Sequence, residues 1–227
     1  MLLANVNGSR LNAIPGARGK CPACNADVIA KCGQIISWHW AHIASDCDPW
    51  SEPMTKWHSD WQNRFPSAWR EVVLGAHRAD IKVPDGPVIE FQHSSISVEE
   101  IREREDFYRQ MIWVYDARDA FDSGRITVKK GVAHGIAHRR VTFRWKQPRT
   151  TIMTCKKPVF LDMGPFLMNM TGIRQYPHST GSRTGGGGHL LEICEFVKEQ
   201  VDKAPKHDNG FLFDVIVPGP ASSVGLM

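Results

Sequence analysis

Met54, Trp57, Trp61 and Phe65 recur at helical spacing. Residues three and four apart share one helix face, so these four predict an apolar stripe turned to a core. Ser51 offers a capping hydroxyl, and Pro53 is tolerated in a first turn, where amides lack partners anyway. The pattern therefore predicts a helix from Ser51 to about Phe65. His58 and Gln62 lie one turn apart on its flanking face, and Glu52 lies in its first turn.

The period then shortens. Arg70–Leu74 (REVVL) is brief and β-branched, while Ala79–Val83 (ADIKV) and Val88–Gln92 (VIEFQ) alternate. Pro84-Asp-Gly-Pro87 between them is a strong turn signal. Ser97-Val-Glu-Glu100 reads as a capping box opening a helix to about Gln110, with Val98, Ile101, Tyr108 and Met111 on one stripe. Ile112–Tyr115 (IWVY) is apolar throughout, as a strand buried on both faces is. Residues 70–120 thus read strand, strand, strand, helix, strand. Further strands are predicted at Arg125–Lys129, Val141–Trp145, Thr150–Thr154 and Pro158–Asp162. Ser179–Gly188, with four consecutive glycines, reads as a flexible linker. It is no phosphate-binding loop, because no Gly-Lys-Ser/Thr follows. Leu190–Val201 is amphipathic and predicts a docking helix, and the tail from Phe211, with Pro218-Gly-Pro220, is expected to fray.

The chain has 227 residues, of which 42% are hydrophobic and 23% charged, which excludes wholesale disorder and a coiled coil. No run of about 18 apolar residues occurs, so no membrane span is expected. Met1 to Lys20 lacks the basic start and apolar middle of a signal peptide, and the expected location is cytoplasmic. Charge is uneven: residues 66–120 carry 7 Lys/Arg against 11 Asp/Glu, and residues 121–160 carry 10 against one acid, Asp122. The basic block interleaves with Phe143, Trp145 and Phe160. It reads either as the outer face of an extended sheet with the aromatics in the core, or as a surface for single-stranded nucleic acid.

Cys21-Pro-Ala-Cys24, Cys32, His39-Trp-Ala-His42 and Cys47 place six thiol or imidazole groups within 27 residues. Zinc takes four such groups, usually as two close pairs. Cys21 and Cys24 make the first pair. His42 with Cys47 is the preferred second, and His39 is the reserve ligand. The competing readings are free thiols or a redox pair, but the redox pair wants a βαβ context that is not visible. About 30 residues cannot bury a core unaided, so a bound zinc would supply the folding energy.

Asp80 and Glu90 sit on adjacent predicted strands, with Gln92 on the same face as Glu90. The two acids share a face only if they pair opposite each other, which needs an odd-length loop at 84–86 or 83–87, or a bulge. Converging carboxylates stay ionised around a hard divalent cation such as Mg²⁺. Such an ion polarises a phosphodiester and lowers the pKa of bound water. Gln92 would orient that water. The alternative is two solvated acids on an edge hairpin. Ser94 and Ser95 could help take a phosphate at the helix mouth, although capping by Ser97 is the simpler reading. His77 reads equally as a proton shuttle or a surface residue.

The ordered set Cys21-Pro-Ala-Cys24, His39-Trp-Ala-His42, Cys47, Trp57-His58, His77-Arg-Ala-Asp80, Ile89-Glu-Phe-Gln92-His-Ser94 and Tyr108 with Trp113-Val114 resembles the competence protein CoiA-like family. The resemblance covers about residues 15–120. It implies a zinc-ribbon-like N-terminus joined to a restriction-endonuclease-like core of the PD-(D/E)xK superfamily, an α/β fold with a mixed sheet flanked by helices. It carries the metal role to Asp80 and Glu90, and the role of the motif's last residue to Gln92, where many members have Lys. Glu52 and His58 become candidates for the polar group that the preceding helix adds to such sites. The expected organisation is a zinc-ribbon-like module at 1–50, a nuclease core at 51–120, a basic β extension at 121–163, a Gly-rich linker at 164–188, and a helix and tail at 189–227. The implied function is Mg²⁺- or Mn²⁺-dependent hydrolysis of DNA in processing or recombination, with structural Zn²⁺. Its expected partners are DNA, single- or double-stranded, and other DNA-processing proteins. The alternative is a DNA-binding accessory factor that keeps the nuclease fold as a scaffold.

Overall fold

The computed structural model describes residues 1–44, 47–130, 139–178 and 181–204. Two sheets organise them. The smaller has order β2-β1-β3-β4-β5, from β1 (Leu3–Val6), β2 (Ser9–Asn12), β3 (Arg18–Lys20), β4 (Asp27–Lys31) and β5 (His39–His42). Its core is slight, with Cys21, Val28 and Trp40 buried at its centre.

The larger sheet contains β6 (Arg70–Leu74), β7 (His77–Lys82), β8 (Val88–Gln92), β9 (Met111–Asp116), β10 (Ile126–Lys130), β11 (Arg140–Trp145), β12 (Val159–Asp162), β13 (Leu167–His178) and β14 (Gly181–Leu191). Its order is β10-β11-β14-β13-β12-β9-β8-β7-β6. β9 runs parallel to both β8 and β12, and the other pairs are antiparallel. The fold is therefore mixed α/β. A parallel pair needs a crossover, and α2 (Val98–Tyr108) supplies it between β8 and β9. Trp113, Val114 and Tyr115 of β9 are almost wholly buried, as an apolar strand covered on both faces requires.

α1 (Lys56–Gln62) is shorter than the sequence predicts, and its cap is Thr55, whose hydroxyl accepts from His58 N at 3.1 Å. Ser51 does not start it. The preceding segment is held extended by longer-range bonds: the Trp50 carbonyl accepts from Arg104, and the Glu52 carboxylate accepts from Gln92 and from His93 N. α1 does turn its tryptophans inward. Trp61 stacks on Phe91 with ring centroids 5.3 Å apart. The indole N–H groups of Trp57 and Trp61 both donate to Asp162 Oδ2, at 2.7 and 2.8 Å. One buried carboxylate on β12 thereby fastens the helix to the sheet.

α2 also departs from its pattern. Its buried residues are Ile101, Arg104 and Glu105 rather than an apolar stripe. Ser97 caps it as predicted, but only half of the capping box forms, because Glu100 turns its carboxylate to Arg104. Glu105 accepts from Trp113 Nε1 and from the backbone of Lys156 and Lys157, tying α2 to β9 and to the start of β12. Buried charge with partners replaces the apolar contact that periodicity expects.

Two other expectations fail here. Thr150–Thr154 is a 3₁₀ turn, not a strand. The Gly-rich segment is no linker, since β13 and β14 form a long hairpin and Gly185–Gly188 pair on both sides. The chains approach so closely there that a Cβ at Gly186 would lie 1.9 Å from the Gly172 carbonyl, and one at Gly188 would lie 2.8 Å from that of Asn169. Those glycines serve close strand packing rather than flexibility. Phe143, Trp145 and Phe160 are buried, so the aromatics of the basic block belong to the core. α4 (Ile193–Lys203) follows β14, which already contains Leu190 and Leu191, and it buries Phe196 and Val197 against the sheet. α3 (Arg118–Asp122) is a short turn after β9. The expected fraying of the tail lies outside the described residues.

Removing the Asp162 carboxylate leaves two buried indole N–H groups without acceptors. Asp162→Ala is expected to cost about 3 kcal/mol, read as a lower urea midpoint at unchanged slope, with Asp162→Asn intermediate.

Candidate functional site

The turn after β7 sets the site. Gly86 N donates to Val83 O at 3.0 Å and Val83 N to Pro87 O at 3.1 Å, closing a five-residue loop at 83–87. The ladder on either side pairs Lys82 with Val88 and Ile81 with Ile89. The next residues in that register are Asp80 and Glu90. The loop is odd in length, so they meet the condition for sharing a face. The backbone pairing stops at Ile81 and Ile89, and the side chains take over. Glu90 Oε1 accepts from Asp80 N at 3.2 Å, and Asp80 Oδ2 accepts from Phe91 N at 2.9 Å.

Each carboxylate then meets a different partner. His58 Nε2 donates to Asp80 Oδ1 at 2.7 Å, and Gln62, one helical turn on, donates to the same oxygen at 2.9 Å. Arg104 Nη1 donates to Glu90 Oε2 at 2.7 Å, and both of those side chains are only 5% exposed. Burial opposes charge on all of these groups. For Asp80 the neighbouring His58 outweighs burial and holds the carboxyl below its usual range. For His58 burial is outweighed by Asp80, and the imidazole titrates above its usual value. Glu90 goes the other way: burial and the Asp80 charge push it up to about 8 despite Arg104. The pair thus strongly favours one negative charge over two.

Asp80 and Glu90 line a small cavity of about 30 Å³. That is room for one water molecule or one ion. Asp48, Glu52 and Glu71 contribute further carboxylates to its wall, and Arg78 and Arg104 contribute guanidinium groups. His58 also lines it, and its Nδ1 is buried without a hydrogen-bond partner among the described residues. Such an unsatisfied group marks a place for a water or a substrate atom.

Of the other predicted residues, Glu52 lines this cavity, whereas Gln92 and His77 stand behind its wall residues Glu52 and Asp48. Glu52 accepts from the Gln92 amide, which also donates to the Ser94 carbonyl. Gln92 is 2% exposed, so it anchors Glu52. His77 is no surface residue: it stacks on Trp50 and bonds Asp48 Oδ1 at 3.0 Å. Sequence reasoning missed Arg104 and Glu71. Arg104 is one charge among many on α2, and only its burial singles it out. Glu71, at φ +48°, accepts from Leu2 N and Leu3 N at 2.7 and 2.8 Å, docking the N-terminal strand beside the cavity.

The N-terminal sheet gathers a second group. The Sγ atoms of Cys21, Cys24 and Cys47 and a ring nitrogen of His42 lie within 4.8 Å of one another. Cys21 Sγ is 3.7 Å from Cys47 Sγ, and Cys24 Sγ is 3.3 Å from His42 Nε2. A tetrahedral zinc with ordinary bond lengths would have edges of about 3.8 Å between sulfurs and about 3.6 Å between sulfur and nitrogen. The donor set fits a structural metal such as zinc. In the knuckle Ala23 N points at Cys21 Sγ, and Asn25, at φ +60°, bonds back through its N–H to the Cys21 carbonyl at 3.0 Å. Burial pushes Cys47 up to about 12, and the Cys24 and Cys21 thiols push the same way. A cation among them reverses that penalty. His39 lies outside the group, with its Nδ1 on the Ser37 carbonyl. Three residues from His42 on one strand, it faces the opposite side.

Among protein-family models, residues 10–49 match the one described as the competence protein CoiA N-terminal domain, and residues 73–134 match the competence protein CoiA nuclease-like domain. No curated protein and no solved structure matches the chain.

The raised Glu90 pKa has a signed consequence. Between its ordinary value of 4.5 and about 8 the folded protein binds more protons than the unfolded chain, so its contribution to stability falls as pH rises. In EDTA, Glu90→Gln should flatten the stability profile across that window. The slope it removes is up to about 1.4 kcal/mol per pH unit, measured by urea unfolding at several pH values.

Proposed function

The chain belongs to the competence protein CoiA-like family, and from that premise we propose that it is a metal-dependent nuclease that hydrolyses DNA at Asp80 and Glu90. The observation that carries the reading is the ladder that ends at Ile81 and Ile89 and delivers the buried Glu90 and the half-buried Asp80 carboxylate to one ion-sized cavity. The donors there are hard oxygens, which suit Mg²⁺ or Mn²⁺. Asp80 and Glu90 would hold the ion, with Glu52 on the cavity wall. When bound, the ion supplies a polarised phosphodiester and a more acidic water.

The protein's own groups prepare that chemistry. His58 and Gln62 lock Asp80 in place, and Asp80 favours the protonated form of His58. In this reading the His58 Nδ1–H, which lacks an acceptor among the described residues, is available to a water in the cavity. Gln92 holds Glu52 against the cavity. Arg104 neutralises Glu90 in the ion-free state and keeps Glu100 and the Trp50 carbonyl as its other partners. Cys21, Cys24, His42 and Cys47 hold Zn²⁺ as a structural centre, which gives the small N-terminal sheet the stability its slight core lacks. Glu71 joins that sheet to the catalytic core. The reading places the protein in the cytoplasm, in DNA processing or recombination with other proteins of that work.

A second reading has a specific observation behind it. Arg104 already sits on Glu90, and Gln92 carries no charge, so the fold could serve a DNA-binding accessory factor without cleavage.

Circular single- and double-stranded DNA separates the two. The nuclease reading expects linearisation with Mg²⁺ or Mn²⁺ and none with EDTA. Glu90→Ala should abolish cleavage and spare binding. Intact circles and intact linear DNA, with binding retained, would favour the accessory factor.

Cys24→Ser and Cys47→Ser should each lose the zinc that the wild-type chain carries at one per molecule, as read by metal analysis. Proteolysis should then cut first within residues 1–50.

A further inference from the structure

Beyond the site, β10, β11, β14 and β13 expose one face whose chemistry the nuclease centre does not use. Cross-strand partners share a face. Lys129 pairs with Thr142, Thr142 with Gly187 and Gly187 with Gly172. One step along, Thr127 pairs with Arg144, Arg144 with Gly185 and Gly185 with Arg174. Arg140 lies opposite His189 and donates to its Nε2 at 3.3 Å. β11 alternates strictly between exposed and buried, which places Arg140, Thr142 and Arg144 outward over the buried Val141, Phe143 and Trp145.

The strands of this face are cationic, and the acids beside them, Glu195 and Glu199 of α4, lie at its His189 end, where Glu195 pairs with Arg139. The four strands contain no Asp or Glu. Lys129, Arg144 and Arg174 are exposed and make no ion pair or side-chain hydrogen bond among the described residues. Like charges gathered with no acid between them repel, and an anionic partner relieves that cost. Arg140 and Arg144 are four residues apart on one strand, about 13 Å, so the row spans more than one phosphate. Tyr176, at 47% exposure, stands at the end of β13, with its ring edge 3.7 Å from where a Gly185 side chain would start.

The floor between the cations is bare. A Cβ at Gly172 would meet nothing within 4 Å, and one at Gly187 would meet only Thr171 Oγ1, at 3.4 Å, and the Val141 carbonyl, at 3.8 Å. Packing therefore requires neither glycine, unlike Gly186 and Gly188. Their absence of side chains leaves the backbone open to close approach.

We infer that this face binds a single DNA strand, with phosphates along Lys129, Arg144, Arg174 and Arg140 and a base stacked on Tyr176. The inference rests on the DNA reading above and names the surface that grips the substrate away from the cleavage centre. Unopposed cations supply the affinity through counterion release, and the aromatic platform favours an unpaired base.

The test is fluorescence anisotropy of a labelled single-stranded oligonucleotide with the full chain in EDTA, over a range of salt. Arg144→Ala/Arg174→Ala should weaken binding and lower the salt slope by about 1.4, the share of two phosphates on a single strand. Gly172→Glu should weaken binding as well, with melting temperature unchanged because the position is open. If the arginine pair variant melts early, Lys129→Ala and Gly172→Glu carry the test. Unchanged affinity and slope in folded variants would overturn the inference, and a stronger, equally sensitive duplex complex would overturn its assignment to a single strand. The cleavage reading fails separately: a wild-type protein that binds through this face and cuts nothing loses the nuclease role and keeps this one.

Discussion

The arrangement of the site depends on where one antiparallel ladder stops. A five-residue loop puts Lys82 opposite Val88 and Ile81 opposite Ile89, and the register then brings Asp80 to Glu90. A register slip of one residue would send every side chain of β8 to the other face. At the point where backbone bonds end, the two carboxylates accept from the backbone of the opposite strand. They are thereby held as rigidly as ladder residues at the wall of a cavity. That is the condition a metal-dependent site needs: acidic groups fixed before the ligand arrives, so that none of the binding energy is spent on ordering them.

The elements around the pair are fastened by buried polar contacts rather than by apolar stripes alone. Asp162 takes two indole N–H groups and sets the height of α1, and α1 then aims His58 and Gln62 at Asp80. Arg104 does the corresponding work from α2 by joining Glu90, Glu100 and the Trp50 carbonyl. Glu71 brings in the N-terminal strand. Each contact is strong only while both partners are present, because a lone buried charge is costly. The balance of charges around Glu90 is therefore a single coupled system, in which, on the proposed metal-dependent reading, a divalent cation would compete with Arg104 for the same carboxylate.

Much of this was legible in local pattern. REVVL and VIEFQ are strands at the predicted bounds, the Pro84-Asp-Gly-Pro87 turn forms, and Ser97 caps its helix, since each rests on backbone rules that act over a few residues. Cys21, Cys24, His42 and Cys47 come together as their spacing suggests. What was not legible depends on distant partners. The start of α1 moved because Glu52 and Trp50 bond residues some 40 or more positions away. The glycine run looked like a linker because nothing local reveals that two strands flank it at backbone contact. Arg104 could not be picked from an acidic and basic helix face, since burial alone distinguishes it from Arg102. The resemblance to the CoiA-like family supplied the order of the motifs, and the register supplied the geometry that joins them.

The most direct measurement of the central claim is anomalous scattering from a crystal of the protein soaked in Mn²⁺. The account predicts one manganese peak between the carboxylates of Asp80 and Glu90, with the Arg104 guanidinium moved off Glu90 and still bonded to Glu100. A fully soaked crystal with no peak there, and with Arg104 still seated on Glu90, would contradict it.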